Sequence, residues 1–256
     1  WNVTLDTSTL DIATYTVFVY GNDTLGNLNN TVGNLSFRVG PTVGCGTLTA
    51  TTSMTGNVTA AGTCFTIGAS HITLNCTGYN ITWATGTPST YGVDNTGGYD
   101  NVTIQHCHFE EGDPAGSTSQ FGIVLDVDAR GVRIFNNTFT MIGSRSNAIT
   151  LQGGSNSTNI SENTIETSGA QAAGISFFPS SHNILSNNFI KTSGSAANGI
   201  FLRSAHNNTF TNINITIAGS GQGIQLLQVL PTGEDTGVSG NIFFNLLNPK
   251  ESIKLS

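Results

Sequence analysis

The chain has 256 residues and a net charge of −7, with only 9% charged side chains, while Thr, Ser, Gly and Asn together fill 120 positions. That length suits one or two domains, and the composition excludes a helix bundle or coiled coil, which draws about half its residues from Ala, Glu, Lys, Leu and Arg. Eight cations, among them the dispersed Arg38, Arg130, Arg133, Arg145 and Arg203, exclude a phosphate-binding footprint and hence nucleic acid; no apolar run reaches the roughly 18 residues of a membrane span.

Trp1 opens directly into strand-like sequence without an initiator Met or a signal peptide, so a processed product or a piece of a longer polypeptide is expected. Trp1 to Leu10 reads as one strand. Thr14 to Tyr20 alternates with period two, a turn follows at Gly21-Asn22-Asp23 and Gly26-Asn27, and Leu35 to Val39 is the next strand. The run YTVFVYGNDTLGN…LSFRV resembles the last three strands of an immunoglobulin-like or fibronectin-like sandwich. Such a sandwich needs about seven strands. Residues 1–40 are therefore expected to be a partial β-sandwich, completed by upstream sequence or by another chain.

Pro41 to Gly44 reads as a joint, and from Cys45 the pattern changes to a repeat. The dipeptides Gly92-Val93, Gly122-Ile123, Ala148-Ile149, Gly174-Ile175, Gly199-Ile200 and Gly223-Ile224 recur at spacings of 30, 26, 26, 25 and 24. A second apolar column runs Leu74, Ile104, Ile134, Ile160, Leu185, Phe210 and Val238. A third runs Tyr79, Phe109, Phe139, Ile165, Ile190, Ile215 and Phe243. Between them lies an Asn column, Asn137, Asn163, Asn188 and Asn241, with Thr77, Cys107 and Ile213 at the other rungs. A coil of about 25 residues whose short strands pair with the same strand one coil away, about 4.8 Å distant, explains columns that keep their residue type. Inward aliphatics then stack, with Ile123, Leu125 and Val127 inside and Val124, Asp126 and Asp128 outside. Asn at a recurrent bend tolerates left-handed backbone and bonds to the Asn above.

These columns, with the opening CGTLTA…GTCFTIGASHITLNCTGYNIT, resemble the right-handed parallel β-helix repeats of the pectate-lyase-like and NosD-like superfamily, especially those of archaeal surface proteins. The fold class expected is all-β: a right-handed parallel β-helix of about seven rungs over 45–247, preceded by the partial sandwich and followed by a tail, 248–256. Within that tail Ser252 to Ser256 alternates like a strand and is a candidate donor to a neighbouring chain.

Four cysteines allow three connectivities, of which Cys45–Cys64 with Cys76–Cys107 is preferred; no C-x-x-C pair suggests zinc. Sequons fall at Asn2, Asn22, Asn29, Asn34, Asn57, Asn75, Asn80, Asn101, Asn136, Asn156, Asn159, Asn207 and Asn214, about twice the number chance gives at this composition. Disulfides and sequons together point to an extracellular, N-glycosylated chain.

An enzyme of the resembled class places acids on the outer face of one sheet in adjacent rungs. Asp126 and Asp128, with Arg130 nearby, are the catalytic candidates, yet the column through Asp126 continues as Thr96 below and Gln152, Phe178, Arg203 and Leu227 above, with no stacked acid. Glu110, Glu111 and Asp113 are candidate calcium ligands, alone or with Asp126 or Asp128. His106 and His108 share a strand face at metal-ligand spacing, and His182 and His206 are expected to stack on each other at equivalent bends. Tyr91, Tyr99 and Phe178 are candidate rings for a sugar platform. The leading reading is a non-enzymatic cell-surface glycoprotein that self-associates into a filament, sheath or S-layer-like lattice by strand complementation, without cofactor unless calcium. A glycan-binding adhesin and a polysaccharide lyase or hydrolase are the alternatives.

Overall fold

The computed structural model describes residues 13–17, 21–22, 25, 28–29, 35–39, 43–86, 89–112, 119–227, 238–246 and 253–255. The chain divides into two compact units, Trp1–Thr42 and Val43–Ser256. In the first, Ala13–Val17 pairs antiparallel with Leu35–Val39, and Gly21–Asn22 with Leu28–Asn29. The expected strand at Trp1 to Leu10 lies outside the described residues.

The second unit is an all-β parallel β-helix. Each coil contributes one short strand to sheet I, one to sheet II and one to sheet III, as in Ile149–Leu151, Asn159–Ser161 and Thr164–Thr167. Among the described residues the sheets hold nine, eight and seven strands, so seven coils carry all three. The inner row of sheet I runs Phe65, Val93, Ile123, Ile149, Ile175, Ile200 and Ile224, paired rung to rung and none more than 1% exposed. Each buried aliphatic of this kind contributes about 1.5–3 kcal/mol. Leu74, Ile104, Ile134, Ile160, Leu185, Phe210 and Phe243 form the row of sheet II. Val58, Ile81, Phe109, Phe139, Ile165, Ile190 and Ile215 form that of sheet III.

Three positions differ from the apolar sequence columns. Phe243 pairs with Phe210 in sheet II, so Val238 is not in that row and Phe243 is not in sheet III. Ile81, not Tyr79, pairs with Phe109. Fixed spacing fails where a coil changes length: Thr77 and Gly78, both at positive φ, lengthen one bend, and a long connection separates Leu227 from Ile242. Val127 is 61% exposed rather than inward, because the strand ends at Leu125 and Val127 and Asp128 turn left-handed.

The coil turns corners at residues with left-handed backbone. Between sheets I and II these include His71, Asn101, Gly131, Ser157, His182, Asn207 and Gly240; between II and III they include His106, Asn136, Glu162, Asn187, Asn212 and Asn245. Beside each row of corners runs a buried amide ladder. One passes from Cys107 through Asn137 and Asn163 to Asn188. The other passes from Thr158 through Asn183 and Asn208 to Asn241. Asn241 thus belongs to the second ladder, since the strand it precedes is in sheet II. The turns from sheet III back to sheet I stack still more closely: a Cβ on Gly194 would lie 1.9 Å from the Gly169 carbonyl oxygen, which is why that turn is glycine.

Both expected disulfides form, Cys45–Cys64 and Cys76–Cys107. Ile253–Leu255 pairs in parallel with Ile224–Leu227 of the preceding coil, as the ninth strand of sheet I. The tail expected as a strand donor is engaged within its own chain.

Candidate functional site

Alternation along sheet I sends every second side chain outward, and stacking makes those side chains into columns. One column runs Asp94, Val124, Thr150, Ser176, Phe201 and Gln225; the next runs Thr96, Asp126, Gln152, Phe178 and Arg203. The stacked turns from sheet III rise beside them and carry Ser119, Arg145, Gln171 and Ala196. Floor and wall enclose a groove of about 470 Å³.

Amides and hydroxyls make the floor. Asn147 donates from Nδ2 to Thr150 Oγ1 at 3.2 Å and accepts from the Ala173 N–H at 2.8 Å. Asn198 repeats the arrangement two coils on, donating to Gln225 Oε1 at 2.7 Å and accepting from the Gln222 N–H at 2.9 Å. Arg145 is held along the wall by Nε donation to Gln171 Oε1 at 2.9 Å. Ser176 is 1% exposed and its Oγ, with no protein partner, is buried beneath the floor. Aromatic rings stand at both ends. Phe178 and Phe201 lie 5.5 Å apart with the Arg203 guanidinium 5.6 Å over the Phe178 ring, and Phe121 stacks on Tyr91 at 5.8 Å. Burial, and next the charges of Asp94 and Asp126, push the Tyr91 phenol above its ordinary range. No carboxylate or imidazole is among the described lining residues.

Of the expected rings, Phe178 is in the groove and Tyr91 flanks it. Tyr99 stands apart, its backbone bonded by the inward Asn95. The sequence reading missed Phe121, Phe201, Asn147, Asn198 and Arg145. Only Phe201 holds an outward position beside an inner aliphatic of sheet I; Phe121, Asn147 and Asn198 stand two residues before Ile123, Ile149 and Ile200, and Arg145 lies in the preceding turn.

The acidic candidates are not brought together. Asp126 spends Oδ1 on the Val127 N–H and Oδ2 on Gln152 Nε2, at 2.7 and 2.8 Å. Asp128 is in the left-handed turn rather than two along a strand from Asp126, and the Arg130 N–H donates to Asp100 Oδ1. Glu110 faces outward from sheet III and accepts from Asn80 Nδ2. Glu111 points inward, is 6% exposed, and accepts from the Ile142 and Gly143 N–H groups and Ser146 Oγ. Asp113 lies outside the described residues. His106 and His108 do not share a face, because His106 is itself the left-handed corner after the sheet II strand Thr103–Gln105, whereas His108 opens the sheet III strand His108–Glu111. Nor do His182 and His206 stack. The register sets His182 against Asn207, and His206 meets Ser239.

Among the sequons, Asn2 and Asn34 lie outside the described residues, and Asn22 and Asn29 are on the short antiparallel pair of the first unit. Asn57, Asn101, Asn136 and Asn207 are exposed; Asn75, Asn80, Asn156, Asn159 and Asn214 are half-buried on the coil surface.

The family model described as periplasmic copper-binding protein (NosD) matches residues 47–253. The chain belongs to the NosD family. No curated protein matches it. Among solved structures, the surface protein and adhesin PfbA of Streptococcus pneumoniae is 13% identical with a TM-score of 0.49, the match covering 82% of this chain and 68% of that one. The A-module of the mannuronan C-5 epimerase AlgE4 of Azotobacter vinelandii is 13% identical with a TM-score of 0.22, over 83% and 89%.

The family description raises copper, and the donors present do not fit it. Copper sites draw on thiolate, thioether and imidazole. All four thiols are in disulfides, and Met54 and Met141 are in the core at 2% and 1% exposure. Among the described residues no three His, Cys, Asp or Glu side chains converge.

Proposed function

We propose that this NosD-family chain is an extracellular surface protein that binds an extended polysaccharide along the outer face of sheet I without cutting it. The groove carries this reading. Its floor of amides and hydroxyls matches the hydroxyls of a sugar chain, its end rings offer apolar faces for pyranose stacking, and its repeat along the coil axis suits a repeating ligand. Binding is favoured over cleavage because the described lining supplies a guanidinium and amides but no acid or base to move a proton. The two disulfides and the thirteen sequons support an oxidising, extracellular setting.

Affinity electrophoresis of unglycosylated protein through polygalacturonate and through hydroxyethylcellulose tests the reading. The chain is retarded by at least one, and Phe178→Ala and Phe201→Ala each weaken that retardation about tenfold. Unchanged retardation in both variants overturns it, and release of reducing ends by the parent replaces binding with catalysis.

A second reading, a subunit of a filament, sheath or S-layer-like lattice, is supported by the 9% charged composition, which leaves little self-repulsion to oppose association. Electron microscopy of native material distinguishes polymer from dispersed particle.

A further inference from the structure

The nine sequons of the coil are not spread evenly around it. Asn101, Asn156 and Asn207 lie along the bend between sheets I and II, and Asn136 lies at the bend between II and III. Asn75 and Asn159 are on sheet II, Asn80 and Asn214 on sheet III, and Asn57 immediately precedes the sheet III strand Val58–Thr59. None falls on sheet I or in the turns that lead from sheet III into it. Those segments do contain Asn95, Asn147 and Asn198, but no Ser or Thr stands two residues after any of them. Asn95 instead fixes the Tyr99 backbone, and the other two build the groove floor.

We infer that N-linked glycans coat sheets II and III and the two bends flanking sheet II, and that the outer face of sheet I is kept bare as the contact face of the molecule. The inference rests on the groove reading and adds which surface is masked and which is presented. An N-glycan is a bulky, solubilising group. Planted on the groove wall it would fill the space a polysaccharide needs; on the other faces it supplies hydration that a surface so poor in charge does not. It also closes those faces to competing contacts, so that association is directed through sheet I.

Two single substitutions separate the faces. Ser144→Asn completes a sequon with Ser146 in the exposed turn beside Arg145, on the groove wall. Glu162→Asn completes one with Thr164 at the bend between II and III, one coil above Asn136 and at the same left-handed backbone. The parent and both variants are secreted from a yeast that adds high-mannose glycans, mapped by glycopeptide mass spectrometry, and run through the polygalacturonate and hydroxyethylcellulose gels. The expected result is occupancy at most of the nine native sites with retardation retained. The glycan of Ser144→Asn weakens retardation at least about tenfold, endoglycosidase trimming restores it, and the glycan of Glu162→Asn changes it less than about twofold. Trimming that restores binding shows that the fold was intact. Empty native sites, equal losses in the two variants, or no loss in glycosylated Ser144→Asn overturn the inference while the groove reading stands on Phe178→Ala and Phe201→Ala. Absence of retardation in unglycosylated parent overturns the groove reading, and the contact face falls with it.

Discussion

Asn163 sits one coil above Asn137 and, with a single Oδ1, accepts from both the backbone N–H and the side-chain Nδ2 of Asn137, each at 3.0 Å. Both side chains are no more than 2% exposed. The pair converts a corner that leaves backbone groups without strand partners into a continuous chain of amide bonds, and a buried polar chain is stable only when each member is satisfied.

Breaking that chain is costly. Asn163→Ala removes the acceptor of the Asn137 N–H and Nδ2 and the Nδ2 donations to Asn188 Oδ1 and to the Ile134 and Ser161 carbonyls. Unfolding free energy should fall by roughly 2–4 kcal/mol in urea titration. The exposed ladder is the control: Asn212 Nδ2 bonds Asn187 Oδ1 at 3.0 Å in contact with solvent. Asn212→Gly suits the left-handed backbone there and should cost under about 1 kcal/mol. Equal losses would show that ladder burial is not what matters.

Glu111 stabilises the turn above it. Its carboxylate takes three hydrogen bonds from residues 142–146 out of an inward position on sheet III, beside Trp83 and Met141 in adjacent coils. Glu111→Ala leaves those donors buried and should cost about 3 kcal/mol, while Ser146→Ala, which removes one, should cost about 1 kcal/mol. Because the carboxylate is already occupied, millimolar calcium should leave the melting temperature of the parent unchanged. A calcium-dependent rise lost in Glu111→Gln would restore the ligand role.

The two disulfides should differ in what they protect. Cys76–Cys107 closes 31 residues and begins at the foot of the first Asn ladder, where the Cys107 N–H meets Asn137 Oδ1. Its replacement by two alanines should lower stability by roughly 3–4 kcal/mol on loop-closure grounds. Cys45–Cys64 closes 19 residues and ties the first strand of sheet I to the second. Its removal should fray that first coil, seen as hydrogen exchange confined to residues 43–60, because end repeats open locally. Exchange spreading through every coil would argue against this division.

Tyr91 gives the coil a sensitivity to high pH. Burial first, then Asp94 and Asp126, raise its phenol above the ordinary 10.0, so the folded chain keeps a proton that the unfolded chain gives up at lower pH. The associated stability is whole below pH 10.0 and is lost as pH rises through the folded value. Phenolate absorbance should show one tyrosine titrating late, absent in Tyr91→Phe, and Asp94→Asn or Asp126→Asn should bring it earlier. A Tyr91 that ionises at or below 10.0 contradicts this account.

The parallel β-helix was legible before any coordinates. A coil returns to the same place about every 25 residues, so Ile123, Ile149, Ile175 and Ile200 had to be alike and had to stack, and periodic apolar identity records that directly. The cysteine pairing was one preference among three connectivities, and the structure shows its reason: 19 and 31 residues each bring the chain back by about one coil. What sequence did not determine was everything that depends on where a coil lengthens. Thr77 and Gly78 displaced Tyr79 from the sheet III row, and the long connection after Leu227 moved Phe243 into sheet II and Asn241 to the ladder that precedes it. Nor could it decide direction at a bend. His106 and His108 parted, Val127 turned outward, and Glu111 turned inward to a partner 31 residues away, because left-handed corners interrupt the alternation that strand logic assumes. The groove is the largest case: Phe121, Asn147, Phe178 and Asn198 are far apart in the chain and share no motif, and only the stacking of coils at strand spacing sets them side by side.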